Sequence, residues 1–160
     1  MLTAVYPGTF DPPTVGHVDI AQRCAAFFQK LYIGVGINSL KSNPVFSPEE
    51  RVAMLRRVFG QHPKIEVVAF EGLLVDFVEE HAIRTIIRSV RTSGDIDFEI
   101  SQASLNRRMT GVETFWISAK PEYRDLSSTL VQEIGRGGRS LENFVPKEIQ
   151  QEVEQRLAGK

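Results

Sequence analysis

The sequence predicts an α/β fold, a five-stranded parallel sheet with helices on both faces, from three observations. Five short apolar runs alternate with segments whose apolar residues recur at helical spacing. Glycine and proline punctuate the boundaries between them. The 160 residues, 42% of them hydrophobic, suffice for one sizeable core and are too few for two ordinary domains, so residues 1–160 are expected to form a single domain.

Leu2 to Tyr6 is the first β-favouring run and stops at Pro7-Gly8. A helical pattern opens after Pro12-Pro13, with Val18, Ala21, Cys24, Ala25 and Phe28 on one face. Leu31 to Ile37 is a second strand despite its two glycines, followed by a polar loop from Asn38 to Pro44 that carries Lys41. Ser47-Pro48-Glu49-Glu50 starts a helix that runs to about Phe59, because the Ser cap and the Glu three residues later can satisfy each other's free backbone donors.

Ile65 to Phe70 reads as the third strand, Leu74 to His81 as a helix, and Thr85 to Arg88 as a fourth strand that ends in charge. Asp95 to Met109 is a longer helix, and Thr114 to Ile117 the fifth strand. A helix from Ser128 to Ile134 has Thr129 and Gln132 at capping-box spacing, and a polar glycine-rich loop follows. Pro146 opens a last helix, about residues 146–158, in which Ile149, Val153 and Leu157 share a face.

Nineteen basic against twenty acidic residues leave a net charge of -1, so no global field selects nucleic acid or a membrane as partner, and any anion site must be local. The single cysteine, Cys24, excludes an internal disulfide and reads as a buried thiol rather than a nucleophile. The amino terminus has no basic leader pattern, and no apolar run approaches the ~18 residues of a membrane span. These features predict a soluble cytoplasmic protein. His62 and His81 lack partners at metal-ligand spacing, and no protein-built metal site is expected. Trp116 is assigned to core or interface, and Gly135-Arg136-Gly137-Gly138-Arg139 to the end of a helix rather than an RNA-binding tract.

In a parallel sheet, ligands bind beyond the carboxyl ends of the strands where strand order reverses. The loops to inspect are therefore Pro7 to Gly16, Asn38 to Phe46, Glu71 to Leu74, Arg88 to Asp95 and Ser118 to Thr129. The first combines permissive glycines, the Thr9 hydroxyl and His17 in the first turn of a helix, whose free N–H groups and dipole favour an anion. Lys41 is either a solvated charge or a point charge bridging two phosphates. Arg88 and Arg91 offer forked donors that match phosphate, or pair with Asp95, Asp97 or Glu99. Tyr123 to Thr129 supplies hydroxyls that can cap a helix, hold a triphosphate, or both.

Thr14-Val15-Gly16-His17, in its strand-loop-helix context, resembles the (His/Thr)-x-Gly-His signature of the nucleotidylyltransferase superfamily. The Thr at its head and the preceding Tyr-Pro-Gly-Thr-Phe-Asp-Pro narrow the resemblance to the phosphopantetheine adenylyltransferase family, whose pattern continues through Lys41, Pro44 to Arg51, Ile87 to Arg91, Asp95 to Glu99, Asn106-Arg107 and Ser127 to Val131. Ser89, where the family usually has Gly, and Ser42-Asn43, which lengthen the Lys41 loop, depart from it.

The resemblance implies a Rossmann-like domain that joins the adenylyl group of ATP to 4′-phosphopantetheine, giving dephospho-coenzyme A and pyrophosphate in the penultimate step of coenzyme A synthesis. It assigns His17, Lys41 and Arg88 to catalysis, and Thr9, Lys41, Leu74 and Arg88 to the acceptor, although Leu74 could equally be core. It assigns Thr9, Phe10, His17, Ser89, Val90, Arg91, Glu99, Tyr123, Arg124, Asp125, Leu126, Ser127, Ser128 and Thr129 to ATP. It further implies Mg²⁺ held mainly by the nucleotide, a homohexamer, and coenzyme A as an inhibitor. The competing expectations are transfer to another phosphate, such as nicotinamide mononucleotide or glycerol 3-phosphate, and a nucleotide sensor without turnover.

Overall fold

The computed structural model describes residues 2–37, 43–60 and 62–159. Its element order is β1 (Thr3–Gly8), α1 (Val15–Ala25), β2 (Lys30–Ile37), α2 (Pro48–Phe59), β3 (Ile65–Glu71), α3 (Leu74–Glu80), β4 (Thr85–Val90), α4 (Ser93–Thr110), β5 (Glu113–Ser118), a 3-10 turn (Pro121–Tyr123), α5 (Ser128–Arg136) and α6 (Gln150–Ala158). The five strands form one all-parallel sheet in the order β3-β2-β1-β4-β5. The chain winds outward from β1 to β3, returns across the sheet, and winds outward again through β4 and β5. The fold is the expected Rossmann-like α/β class.

Side chains on successive strand residues point to opposite faces, and the core divides accordingly. Ala4, Tyr6, Leu31, Ile33, Val35, Val67 and Ile87 pack with α1 residues Ile20, Ala21 and Cys24. Val5, Tyr32 and Ile86 pack on the other face with Phe77, Val78, Ile83 and Val112. A third cluster, Phe46, Met54, Val131, Leu141, Ile149, Val153 and Leu157, joins α2 to α5 and α6. Cys24 is fully buried, which pushes its thiol pKa up to about 11 and keeps the group protonated and unreactive.

The predicted cap of α2 is present: Glu50 N donates to Ser47 Oγ, and Ser47 N donates to the Glu50 carboxylate. Four expectations are corrected. The cap of α5 is Ser127, which accepts from Leu130 N, while Gln132 reaches away to donate to Asp11 O at 2.7 Å. Pro146 opens a turn closed by Ile149 N to Pro146 O, and the helix starts only at Gln150. Gly135 belongs to α5 rather than to the loop, because α6 packs there so closely that a Cβ would stand 2.4 Å from Leu157 Cδ1. Trp116 is 45% exposed on β5, at the edge of the sheet, and is not core.

Candidate active site

Strand order reverses between β1 and β4, and beyond their carboxyl ends lies a cavity of about 330 Å³. Pro7 to Phe10 form one wall and Arg88, Ser89 and Arg91 the next. The amino termini of α1 (Thr14, Gly16, His17) and α5 (Leu126, Ser127, Ser128) close it. Two helix amino termini therefore meet at one opening, and both direct their positive dipole ends toward it. Ser128 Oγ donates to Pro12 O at 2.8 Å and Gln132 to Asp11 O, so α5 is tied directly to the first loop.

The Thr-x-Gly-His tetrad is a capping box with histidine at its fourth position. Thr14 Oγ1 accepts from His17 N at 3.3 Å, and Thr14 N donates to His17 Nδ1 at 3.0 Å. Because Nδ1 accepts that bond, the neutral ring carries its proton on Nε2, the remaining polar atom of a ring that lines the cavity. Burial, and secondarily the Arg91 charge, push the His17 pKa down to about 4, so at neutral pH it is an uncharged donor. Phe10 and Tyr6 flank the ring at centroid distances of 5.0 and 6.4 Å. A Cβ at Gly16 would meet Tyr123 and Leu126 only at van der Waals distance, so this glycine leaves room for the cavity and relieves no clash.

Arg88 does pair with Glu99, side-on: Nε donates to Oε2 at 2.9 Å and Nη2 to Oε1 at 2.7 Å. Its Nη1 donates to Pro7 O at 3.3 Å. Glu99 is only 6% exposed, and its hydrogen bonds hold the guanidinium above its ordinary pKa. Arg88 and Glu99 together line this cavity and a second one of about 190 Å³. Arg91 Nη1 donates to Leu126 O, and Asp95 accepts from the N–H groups of Arg91 and Thr92, completing a capping box in which Thr92 is the N-cap of α4. That box also starts α4 two residues before the expected Asp95.

The second cavity is bounded by Leu74, Ile86, Phe98, Gln102, Ala103, Asn106 and Thr114. It is mixed in character, with Leu74, Ile86, Phe98 and Ala103 set against Gln102, Asn106 and Thr114, and shares the Arg88–Glu99 wall with the first. Thr114 Oγ1 is buried with no hydrogen-bond partner among the described residues. Of the cavity's lining, Leu74, Arg88, Glu99 and Asn106 were singled out from the sequence; Phe98, Gln102 and Ala103 of α4 were not, because the mixed faces of that helix give no clear period.

Of the residues assigned to ATP, Thr9, Phe10, His17, Ser89, Arg91, Glu99, Tyr123, Leu126, Ser127 and Ser128 line the first cavity. Val90, Arg124, Asp125 and Thr129 do not; Val90 is in β4, paired with Ser118, and Thr129 follows Ser128 inside α5. Lys41 lies outside the described residues. Ser89 sits within β4 opposite Ile117, and hydrogen-bonds Tyr6, whose burial pushes its phenol up to about 12. Asp19 and Lys120, which the sequence reading passed over, also line the cavity and pair at 2.6 Å. Their signal was position, since Lys120 lies in a strand-end loop already marked for inspection.

The chain matches the Cytidylyltransferase-like family over residues 5–134. It is similar to phosphopantetheine adenylyltransferase of Rhizorhabdus wittichii, 44% identical over 158 residues that span 98% of this chain and 95% of the relative. The protein of that name from Leptospira biflexa is 44% identical over 144 residues, 89% of each chain. That from Streptomyces coelicolor is 38% identical over 160 residues, the full length of both.

Proposed function

The chain belongs to the Cytidylyltransferase-like family and, within it, to the phosphopantetheine adenylyltransferases, and on that premise we propose that it transfers the adenylyl group of ATP to 4′-phosphopantetheine. The products are dephospho-coenzyme A and pyrophosphate. The observation that carries the reading at the level of chemistry is the neutral His17 donor, fixed by Thr14 between two helix amino termini, beside a second cavity that shares the Arg88 wall.

In this reading a phosphate oxygen of phosphopantetheine attacks the α-phosphorus of ATP in line. The new P–O bond forms as the bond to the pyrophosphate oxygen breaks. The nucleophile is already anionic at neutral pH, so no residue has to remove a proton, and catalysis is positioning plus charge stabilisation. His17 donates Nε2–H to an α-phosphate oxygen, Thr9 orients the acceptor phosphate, and Arg88 with Lys41 offsets repulsion between the substrates. Arg91, Ser127 and Ser128 hold the ATP phosphates. The second cavity, part apolar and part polar, suits the pantetheine arm, with Leu74 along it and Thr114 Oγ1 as a waiting polar partner.

The described residues include no cluster of three or more His, Cys, Asp or Glu side chains able to hold a metal ion. Independently of that, the family resemblance leads us to propose Mg²⁺ held mainly by the nucleotide phosphates, where it would offset leaving-group charge. Among the described residues, no helix is long and apolar enough to cross a membrane, and the reading locates the reaction in the cytoplasm. Ile96, Phe98, Ile100, Leu105 and Met109 of α4 with Phe115 and Trp116 of β5 are exposed. These exposed apolar side chains at the sheet edge support self-association, and the family resemblance makes the assembly a homohexamer, with coenzyme A as an inhibitor.

The test is pyrophosphate release from Mg·ATP with 4′-phosphopantetheine, nicotinamide mononucleotide or glycerol 3-phosphate as acceptor, and product mass as readout. Release only with phosphopantetheine is expected. Release with a different acceptor changes the substrate, and ATP binding without release overturns the enzyme.

A further inference from the structure

Arg51 of α2 is 3% exposed and touches neither cavity, yet its bonds converge on the first loop. Nη1 donates to Thr9 O at 2.7 Å and to Gly36 O at 3.5 Å; Nε donates to Phe46 O at 3.1 Å and Ser47 O at 3.3 Å. Among the described residues these partners are all main-chain carbonyls, and they come from three segments: the first loop, the end of β2 and the entry to α2. The Asp11 carboxylate ties the same segments together by accepting from Val45 N and Phe46 N, both at 2.9 Å.

The shortest of those Arg51 bonds sets a peptide. In a planar trans unit the carbonyl and the following N–H point in opposite directions. With Thr9 O drawn toward the buried guanidinium, Phe10 N–H is turned the other way. Phe10 has φ 52, a left-handed conformation that side chains other than glycine rarely adopt and that needs holding. Its N–H makes no hydrogen bond among the described residues, and Thr9 and Phe10 both line the cavity. A flipped peptide would present a carbonyl oxygen there, and a carbonyl repels phosphate where an N–H binds it.

We propose that Arg51 is a positioning residue: by pinning the Thr9 carbonyl it fixes the Thr9–Phe10 peptide so that Phe10 N–H serves as a main-chain donor to the nucleotide phosphates. The inference rests on the nucleotide reading of the cavity but not on the identity of the acceptor.

The experiment follows the Phe10 amide by NMR in ¹⁵N-Phe-labelled full-length protein titrated with Mg·ATP, in the unaltered chain and in Arg51→Lys. Lysine retains the charge but cannot span carbonyls on three segments. In the unaltered protein the amide proton is expected to move downfield on saturation. In Arg51→Lys that shift is lost and the Kd for ATP rises about tenfold, while the KM for phosphopantetheine stays within about twofold, each measured well below the variant's own Tm. A role confined to stability would lower Tm and leave the affinity of the folded variant unchanged, which overturns the proposal. An unaltered protein whose Phe10 amide does not respond to saturating Mg·ATP overturns it without any variant. A responding amide in a protein that does not turn over phosphopantetheine supports the Arg51 role and removes only the acceptor.

Discussion

His17 shows how one hydrogen bond selects a chemical role. Thr14 N occupies Nδ1, so the ring faces the cavity as a neutral Nε2–H donor, and burial stops it from charging until about pH 4. The unfolded chain takes up this proton at about pH 6.5, before the folded one does. The folded state is therefore progressively disfavoured as pH falls from 6.5 toward 4, and unaffected by this group above that window. Histidine NMR should find the Nε2–H tautomer at pH 6 in the free protein; an imidazolium there contradicts the assignment. His17→Ala is expected to lower turnover by about a hundredfold or more. It also removes the acceptor for Thr14 N–H, so a fall in Tm should accompany the loss. Glu99, assigned to ATP by resemblance, uses both carboxylate oxygens on Arg88. Glu99→Gln breaks the side-on pair, and steady-state kinetics should show the KM for phosphopantetheine rising by about tenfold, more than that for ATP.

At the scale of elements, a cap and partner that are neighbours in sequence made some helix starts legible, although the Thr92–Asp95 box of α4 was passed over and that helix starts two residues earlier than expected. Ser47 with Glu50 declares α2, whereas the Thr14–His17 box that opens α1 emerged only from the structure. The start of α5 at Ser128 was read correctly, but its cap was misplaced by two residues because Thr129 and Gln132 imitate the spacing, whereas Ser127 is the cap and Gln132 answers a partner 121 residues away. The same limit hid Gly135. Spacing suggested a helix end, but the residue is the contact point of α5 on α6, and no local pattern encodes a neighbour 22 residues on. Gly135→Ala would drive its methyl into Leu157, and we expect a loss of about 1–3 kcal/mol, read as a lower Tm, with kcat unchanged at temperatures where the protein is folded. Arg156 reinforces that packing by pairing with Glu50, donating to Val45 O and lying 5.0 Å over the Phe46 ring.

For the whole molecule, the decisive feature is the reversal of strand order between β1 and β4, which opens the cavity and brings Thr9 and Arg88 to the same rim. The chain is nearly neutral overall, and the site's charge is local and balanced. Of its lining residues, Asp19 pairs with Lys120, Asp95 with backbone N–H groups, and Glu99 with Arg88. The carboxylates thus orient cations and caps, which suits a reaction that needs no general base. Exposed apolar side chains of α4 and β5 cluster at the sheet edge opposite β3. If they mediate self-association, Phe115→Glu combined with Trp116→Glu should reduce the mass measured by light scattering to that of a smaller assembly, without loss of secondary structure.

The sequence by itself determined the α/β class, the number and order of strands, and the first loop with its Thr-x-Gly-His tetrad, because these depend on periodicity and on partners within a few residues. Tertiary structure alone decided that Arg88 grips Glu99, that Lys120 meets Asp19, that α5 seals the first loop, and that Arg51 holds Thr9. Each of those contacts joins segments 11 to 121 residues apart. Their distances are set by how the sheet winds, and side-chain chemistry acquires a role only once that winding has chosen its neighbours.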